Sequence, residues 1–319
     1  DIGDYLSRED KLRIIKQFGS VDRIPWTILE PNEHGDWINH RNEMFKRFIL
    51  LGDKDDKKNK QTFFVPYYSR GLATARDAWC YNFCEHNLVS KLTESIDYYN
   101  QQRKSYNNTD KNIDVKNFVT YNDNKLSWNR SLLNYCNSNK AIKFEDNSVR
   151  KAIYRPYQKE WCYFNVAMND MTYLLDKLYP TSEHKNLVIC MSSIGDTKDF
   201  SCLITNCIPD LHLIATTQCF PLYWYEEEKN AYTTGGMDDL FKENSETNYI
   251  QRDGITDWIL STVRKQYGSK VTKEDIFYYV YGLLHSPDYR TTFATDLKKS
   301  LPRLPLVEKA DDFWTFSKT

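Results

Sequence analysis

The chain has 319 residues, of which 40% are hydrophobic and 27% are charged, and its formal net charge is −1. This length can bury a sizeable core, and the composition excludes a disordered chain. No apolar run reaches the roughly 18 residues that a membrane-spanning helix needs. The balanced charge excludes a uniformly basic nucleic-acid-binding protein, but it allows a local basic face. The eight cysteines form no CxxC pair, so we interpret them as buried thiols of a cytoplasmic protein.

The first sixty residues predict short helices followed by a linker. Ser7 with an acidic residue at position 10 is typical of a helix N-cap, and Gly19 is typical of a helix end. Apolar residues at 44–49 indicate a second helix, and the stretch 52–60 is entirely polar or charged apart from its glycine. We therefore expect a helical connector at 1–60 and a domain at 61–319. Since the chain starts at Asp1 and lacks a Met there, we also expect a piece of a longer protein.

The centre of the chain predicts strands and one long helix. Residues 62–68 are rich in aromatic side chains and favour a strand. Residues 101–125 are polar and rich in Asn, which is typical of a mobile loop or lid. A helix is predicted by the spacing of Leu88, Leu92, Ile96 and Tyr99. Strands are predicted at 187–192, 200–206 and 211–225, within a β-rich centre at about 150–225.

The C-terminal third predicts three helices between about 250 and 305. One apolar stripe covers 255–263 and ends at Gly268, and a second covers 276–284. Ser286 followed by Pro287 predicts the start of the third helix. The fold class is therefore α+β, with a mixed β-rich core, a C-terminal three-helix unit and a short N-terminal helical connector.

The sequence carries none of the common motifs for nucleotide binding, zinc proteolysis or serine hydrolysis. One candidate is a metal-dependent nuclease site, in which Asp210, Glu227 and Lys229 on adjacent strands hold a divalent cation and polarise a water. The alternative is a solvated acidic loop, because residues 226–246 contain seven acidic side chains and two lysines. We favour the loop.

A second candidate lies in residues 69–79, which combine two arginines, two hydroxyls, a glycine and a tryptophan. Arginine forks match phosphate oxygens and guanine edges, hydroxyls bind phosphate, and glycine allows close approach of the backbone. The alternative is a structural turn in which Arg76 pairs with neighbours and Trp79 is part of the core. For Arg76 we favour a phosphate contact. The candidate DNA-binding residues of this segment are Ser69, Arg70, Thr74 and Arg76.

A third candidate is the stretch 140–160, which contains six basic and three acidic residues interleaved with aromatic ones. Arg155, Gln158 and Lys159 are its candidate DNA contacts, since cations suit phosphates and planar groups suit bases. The alternative is a strand with core aromatics. For Arg155, base reading, phosphate binding and an internal ion pair remain open. We expect this stretch and residues 69–79 to share one concave face, with the acidic stretch off it.

Six blocks of the chain resemble, in order, the C-terminal specificity region of type ISP restriction-modification enzymes. In those enzymes a nuclease, a helicase-like translocase, an adenine methyltransferase and a target-recognition domain follow one another in a single chain. The six blocks cover nearly the whole chain, and together they are much more specific than any one alone. They are PNEHGDW (31–37), YSRGLATARDAW (68–79), YRPY (154–157), TNCIPDLH (205–212), QCFPLY (218–223) and YYVYGLLHSPDYR (278–290).

The resemblance implies a target-recognition domain that binds duplex DNA, chiefly in the major groove, and catalyses nothing itself. The methyltransferase and helicase domains of the same parent chain would be its partners, and S-adenosylmethionine, ATP and Mg²⁺ would belong to them. It also implies a prokaryotic cytoplasmic protein without a membrane partner. Base contacts differ between members of the family, so none is carried over. The alternatives are the nuclease above and a non-catalytic protein-interaction scaffold.

Overall fold

The computed structural model of the protein describes residues 7–38, 40–109, 112–228 and 248–318. The chain divides into two compact units, Asp1–Arg41 and Asn42–Thr319. The first unit contains helix α1 (Arg8–Phe18), which the sequence predicts. The Ser7 hydroxyl caps this helix by accepting from the Asp10 backbone N–H at 3.0 Å. Gly19 ends the helix with a φ of 76°, a conformation that glycine adopts without strain.

The second unit starts before the predicted boundary at residue 61. Phe45 and Leu51 are buried in the same cluster as Phe63. The predicted second helix is reduced to a 3₁₀ turn (Phe45–Arg47), and strand β1 (Ile49–Leu50) follows it and pairs antiparallel with a strand near the C-terminus. The polar stretch 52–60 is therefore a surface loop within the unit. Polarity alone did not distinguish such a loop from a linker between domains.

One four-stranded antiparallel sheet forms the floor of the candidate site. Its central strands bury their apolar side chains, as the predicted run at 187–192 requires, whereas the run at 200–206 forms an edge strand with Leu203 and Ile204 only partly buried. The strands, in order across the sheet, are β2 (Ser69–Arg70), β9 (Gln218–Pro221), β6 (Val188–Met191) and β7 (Cys202–Thr205).

A second four-stranded sheet contains a hairpin and one parallel pair. The parallel pair is β4 (Val149–Arg155) with β8 (Ile208–Pro209), and the hairpin joins β4 to β5 (Gln158–Tyr163) through a turn at residues 156–157. The strands, in order across the sheet, are β3 (Tyr81–Asn82), β5 (Gln158–Tyr163), β4 (Val149–Arg155) and β8 (Ile208–Pro209).

A separate antiparallel ribbon joins β10 (Tyr223–Glu227) to β11 (Tyr249–Asp253). The long strand predicted at 211–225 is therefore wrong in its first half. Residues 211–216 form turns, because the Asp210 carboxylate accepts the His212 backbone N–H at 2.8 Å and Ala215 adopts a φ of 51°.

The helices between residues 77 and 178 include the predicted amphipathic helix. In α3 (Glu85–Asn107) the apolar stripe is buried, which confirms that prediction. The helix continues to Asn107, so the prediction of a loop from residue 101 is wrong there. Tyr106 is buried and donates to Ile113 O at 2.9 Å, which holds the last helical turn against the chain that follows. The shorter helices are α2 (Asp77–Cys80), α4 (Val115–Phe118), α5 (Arg130–Asn137) and α6 (Leu175–Leu178).

The C-terminal helices pack around α8 (Lys273–His285), which is buried along most of one side. The third predicted helix is divided at Phe293, whose ring packs 5.3 Å from Phe48 and 5.4 Å from Phe45 between centroids. The last helix was not predicted, and its Phe313 stacks between Tyr267 and Tyr279. Strands and helices together confirm the α+β class. The elements are α7 (Asp257–Tyr267), α8 (Lys273–His285), α9 (Pro287–Thr292), α10 (Ala294–Lys299), β12 (Arg303–Leu304) and α11 (Ala310–Ser317).

Candidate nucleic-acid interface

Three surface depressions beside β2 and β9 adjoin one another, because each shares lining residues with the next. Their volumes are about 590, 510 and 480 Å³. Arg70 lines the first two, and His212 lines the last two. We call this surface the Arg70 groove. Its polar lining residues are Lys54, Lys57, Tyr68, Ser69, Arg70, Thr74, Arg76, Asp77, Tyr173, Ser193, Asp196, Thr197, Asp210, His212, Thr216 and Gln218.

Arg70 and Gln218 face each other across β2 and β9. Opposed residues of an antiparallel pair project from the same face of the sheet, so both side chains point into the groove. Arg70 is exposed, lies 5.9 Å from the Tyr173 ring centroid and pairs with no carboxylate in the described part of the chain. The Gln218 amide donates to Ser193 Oγ at 3.1 Å. The groove therefore presents an available guanidinium beside an anchored amide.

The groove also concentrates unusual backbone conformations. The described residues include five non-glycine residues with positive φ, and three of them line the groove. These are Ala75 at 54°, Tyr173 at 51° and Ala215 at 51°. Each such residue costs about 1–2 kcal/mol, and strain of this kind clusters at functional sites. None of these positions is a glycine or an asparagine, so their positive φ could not be predicted from the sequence.

Arg76 is only 4% exposed, whereas a phosphate contact requires an accessible guanidinium. Its side chain is buried, its Nε donates to Ser127 O at 3.2 Å, and a second nitrogen donates to Met168 O. Burial lowers the pKa of this guanidinium. Thr74 is buried too, and its hydroxyl accepts the Arg76 backbone N–H and donates to Asp77. The placement of Arg76 and Thr74 is that of the structural turn that we had considered as the alternative.

Ser69 and Gly71 flank Arg70, and both make close contacts within the protein. Ser69 is buried, and its hydroxyl donates to Arg70 O and accepts the Leu174 backbone N–H. A Cβ atom at Gly71 would lie 2.3 Å from Asp210 O, so only glycine permits this approach of two chain segments. The close backbone approach that we predicted at Gly71 therefore takes place within the protein.

Arg155 lies in an ion pair at the wall of the groove. Its guanidinium donates to Asp210 Oδ1 at 2.7 Å and lies 3.8 Å from Asp77 Oδ2. Asp210 is 2% exposed, and burial raises the pKa of its carboxyl. The Tyr81 hydroxyl donates to the same carboxylate at 3.0 Å. Of the three roles left open for Arg155, this geometry fits the internal ion pair.

The remaining candidates of the basic stretch lie around the same hairpin. Gln158 donates to Glu160 Oε1 at 2.6 Å, and the exposed Lys159 lies 3.5 Å from Asn206 Oδ1. Arg150 and Lys151 line a different depression of about 260 Å³, which shares no lining residue with the Arg70 groove. The basic stretch is thus divided between two surfaces. Most of the acidic stretch, residues 229–246, lies outside the described residues.

The structure describes two of the three nuclease candidates, and it places them in different environments. Asp210 is held by Arg155 and Tyr81, whereas Glu227 lies exposed on the β10–β11 ribbon. Lys229 lies outside the described residues. Within the described ranges, no group of three His, Cys, Asp or Glu side chains is arranged to hold a metal ion. The described helices also include none that is long and apolar enough to cross a membrane.

Comparison with protein families matches residues 63–319 to the type ISP C-terminal specificity domain. The chain belongs to this family. The match starts close to the domain boundary predicted at 61, whereas the compact unit starts at Asn42. No curated protein matches the sequence.

Three solved structures resemble this specificity domain over nearly its whole length. One is a nuclease-deletion mutant of the type ISP restriction-modification enzyme LlaGI in complex with a DNA substrate mimic, with 30% identity, a TM-score of 0.78, and coverage of 98% of this chain and 26% of that one. The ATP-dependent type ISP restriction-modification enzyme LlaBIII bound to DNA has 30% identity and a TM-score of 0.75, and the match covers 98% of this chain and 19% of that one. The DrdV–DNA complex has 26% identity and a TM-score of 0.80, and the match covers 97% of this chain and 28% of that one. The chain therefore spans between 19% and 28% of these proteins.

Proposed function

We propose that this specificity domain binds duplex DNA in the Arg70 groove and selects the sequence at which a restriction-modification enzyme acts. The observation that carries the proposal is the pair of Arg70 and Gln218 on one face of the sheet. An arginine fork matches the two acceptors of guanine in the major groove, and a glutamine amide matches adenine. Family membership and the three related structures with DNA support the same role.

Lys54 and Lys57 supply the sequence-independent part of the proposed contact. Both are exposed in the loop that borders the groove beside Arg70. Lysines that neutralise phosphates add affinity for any duplex and make binding depend on salt. The near-neutral chain therefore needs only this local set of cations to hold the DNA backbone while the floor of the groove contacts the bases.

The broader role rests on the family. We propose that the selected site serves an adenine methyltransferase, which flips its target base, and an ATP-driven motor that leads to cleavage. Both would be joined to this domain in a longer chain and would use S-adenosylmethionine, ATP and Mg²⁺. The fraction of each relative that this chain covers leaves room for such domains. The domain itself would act without catalysis, in the cytoplasm of a prokaryote.

The test begins with selection of tight-binding duplexes from a random-sequence library by the 319-residue chain. We expect one enriched motif, and its affinity can then be measured by fluorescence anisotropy. Arg70→Ala should weaken binding to the selected duplex by about 1–3 kcal/mol, as expected for the loss of one base contact. Gln218→Ala should act at a different base position.

Lysine variants separate the phosphate contacts from the base contacts. Lys54→Ala and Lys57→Ala should weaken selected and scrambled duplexes alike, and each should reduce the salt slope by about one. Lys270→Ala is the matched control, because Lys270 is exposed between α7 and α8 and does not line the groove. It should change neither quantity.

Addition of magnesium distinguishes the alternatives. Cleavage of the duplex by this chain in magnesium would support the nuclease that we have set aside. Absence of any enriched motif and of any salt-dependent binding would refute DNA recognition and favour the protein-interaction scaffold.

A further inference from the structure

The tip of the β4–β5 hairpin carries an aromatic side chain that the fold does not require. Tyr157 is 100% exposed, so nothing in the described part of the chain covers its ring. Its φ is 65°, and it follows Pro156 in a two-residue turn between Arg155 and Gln158. A positive φ at the second central position of such a turn favours glycine or asparagine. Neither packing nor turn geometry therefore accounts for a tyrosine here.

The hairpin tip lies beside the Arg70 groove. Arg155 ends β4 and is bound to Asp77 and Asp210, which both line the groove. The Cα atom of Tyr157 is two residues further on and so within about 7 Å of that of Arg155. The hairpin tip that carries Tyr157 thus adjoins the wall of the groove, and the exposed Lys159 lies two residues further along the chain.

We propose that Tyr157 packs its ring face against a nucleobase of DNA bound in the Arg70 groove, as a wedge at one base step. This inference rests on the proposed function of the groove. A tyrosine on a short turn that begins with proline is held out with little freedom beyond its two side-chain torsions. Ring stacking on a base tolerates any sequence, and apolar wedges unstack a step and bend the duplex. Tyr157 therefore adds affinity and local distortion, while Arg70 and Gln218 read the sequence.

Stability and DNA affinity should respond in opposite ways to loss of the ring. Tyr157→Asn places a residue that tolerates positive φ at the tip, so its Tm should equal or exceed that of the wild type. Its affinity for the selected duplex should fall at least fivefold. Tyr157→Phe keeps the ring and should bind within twofold of the wild type. Tyr121→Asn, which removes another exposed tyrosine outside the groove, should bind like the wild type.

A base analogue reports the wedge directly. Duplexes that carry 2-aminopurine at successive positions of the selected site should show increased emission at one step with the wild type and with Tyr157→Phe. Tyr157→Asn should abolish that increase. Equal affinity of Tyr157→Asn and the wild type, or a lower Tm of this variant, would overturn the inference. Equal losses in the Asn and Phe variants would also overturn it, because they would assign the effect to the hydroxyl.

The controls separate failure of this inference from failure of the proposed function. If Arg70→Ala loses binding and Tyr157→Asn keeps it, the groove binds DNA and only the wedge is wrong. If the wild type binds neither the library nor any duplex, the proposed function and the wedge both fail.

Discussion

Substitution Arg155→Ala tests whether the arginine at the groove wall is structural. The change removes the guanidinium that lies 2.7 Å from the nearly buried carboxylate of Asp210. Breaking a buried ion pair by removing one partner costs about 3–5 kcal/mol. The Arg155 side chain is 35% exposed, so water can replace part of its interaction, and we expect a loss of about 2–3 kcal/mol. The measurement is the free energy of unfolding in urea.

The pH dependence of this loss gives its cause. Burial already raises the pKa of Asp210 above 3.8 in the folded protein, and removal of Arg155 should raise it further. A carboxyl whose pKa is higher in the folded than in the unfolded protein favours the folded state when it is protonated. Its contribution to stability is therefore complete below the pKa of the unfolded state and is lost as the pH rises through the pKa of the folded state. The deficit of Arg155→Ala should therefore be larger at pH 8 than at pH 5.

Arg70→Ala is the matched control, since Arg70 is exposed and should change the free energy of unfolding by less than about 0.5 kcal/mol. The structural role would be refuted if Arg155→Ala were as stable as the wild type at pH 8. A reduced salt slope for DNA binding in that stable variant would place Arg155 on a phosphate.

Three further substitutions test the core and the groove backbone. Leu283→Ala removes a buried side chain of α8 and should lower the free energy of unfolding in urea by about 2–5 kcal/mol, whereas unchanged stability would mean that the core is misplaced. Gly71→Ala should lower the same quantity by at least about 1–3 kcal/mol, because the new Cβ meets backbone, and should also weaken DNA binding by displacing Arg70; an unchanged Tm would contradict the close approach. Ala215→Gly relieves a positive φ and should keep or raise the Tm, so a marked decrease would count against that backbone conformation.

Local signals predicted the elements that are determined locally. Ser7 and Ser286 cap α1 and α9 as expected, because an N-cap depends on residues only two or three positions away. The break at Phe293 was not predictable in this way, since its cause is packing against Phe45 and Phe48, about 250 residues earlier in the chain.

The site was predicted less well than the fold, because most of its contacts join residues that are far apart in the chain. Most of residues 69–79 line the Arg70 groove, but the sequence alone does not show which of the two arginines is exposed. Arg76 is buried by carbonyl groups from Ser127 and Met168, which are 51 and 92 residues away. Gln218 was not selected as a contact, because its position opposite Arg70 arises only from the pairing of β2 with β9. The order of the six blocks, in contrast, identified the family correctly.

The most direct test of the account is to repeat the library selection with Arg70→Ala and compare the enriched motif with that of the wild type. A base-reading arginine contributes information at its own position, and distant contacts are independent of it. We expect the variant to retain the motif but to lose the base preference at one position, with a Tm equal to that of the wild type. An identical motif, bound with the same affinity by Arg70→Ala, would contradict the claim that the Arg70 groove reads DNA sequence.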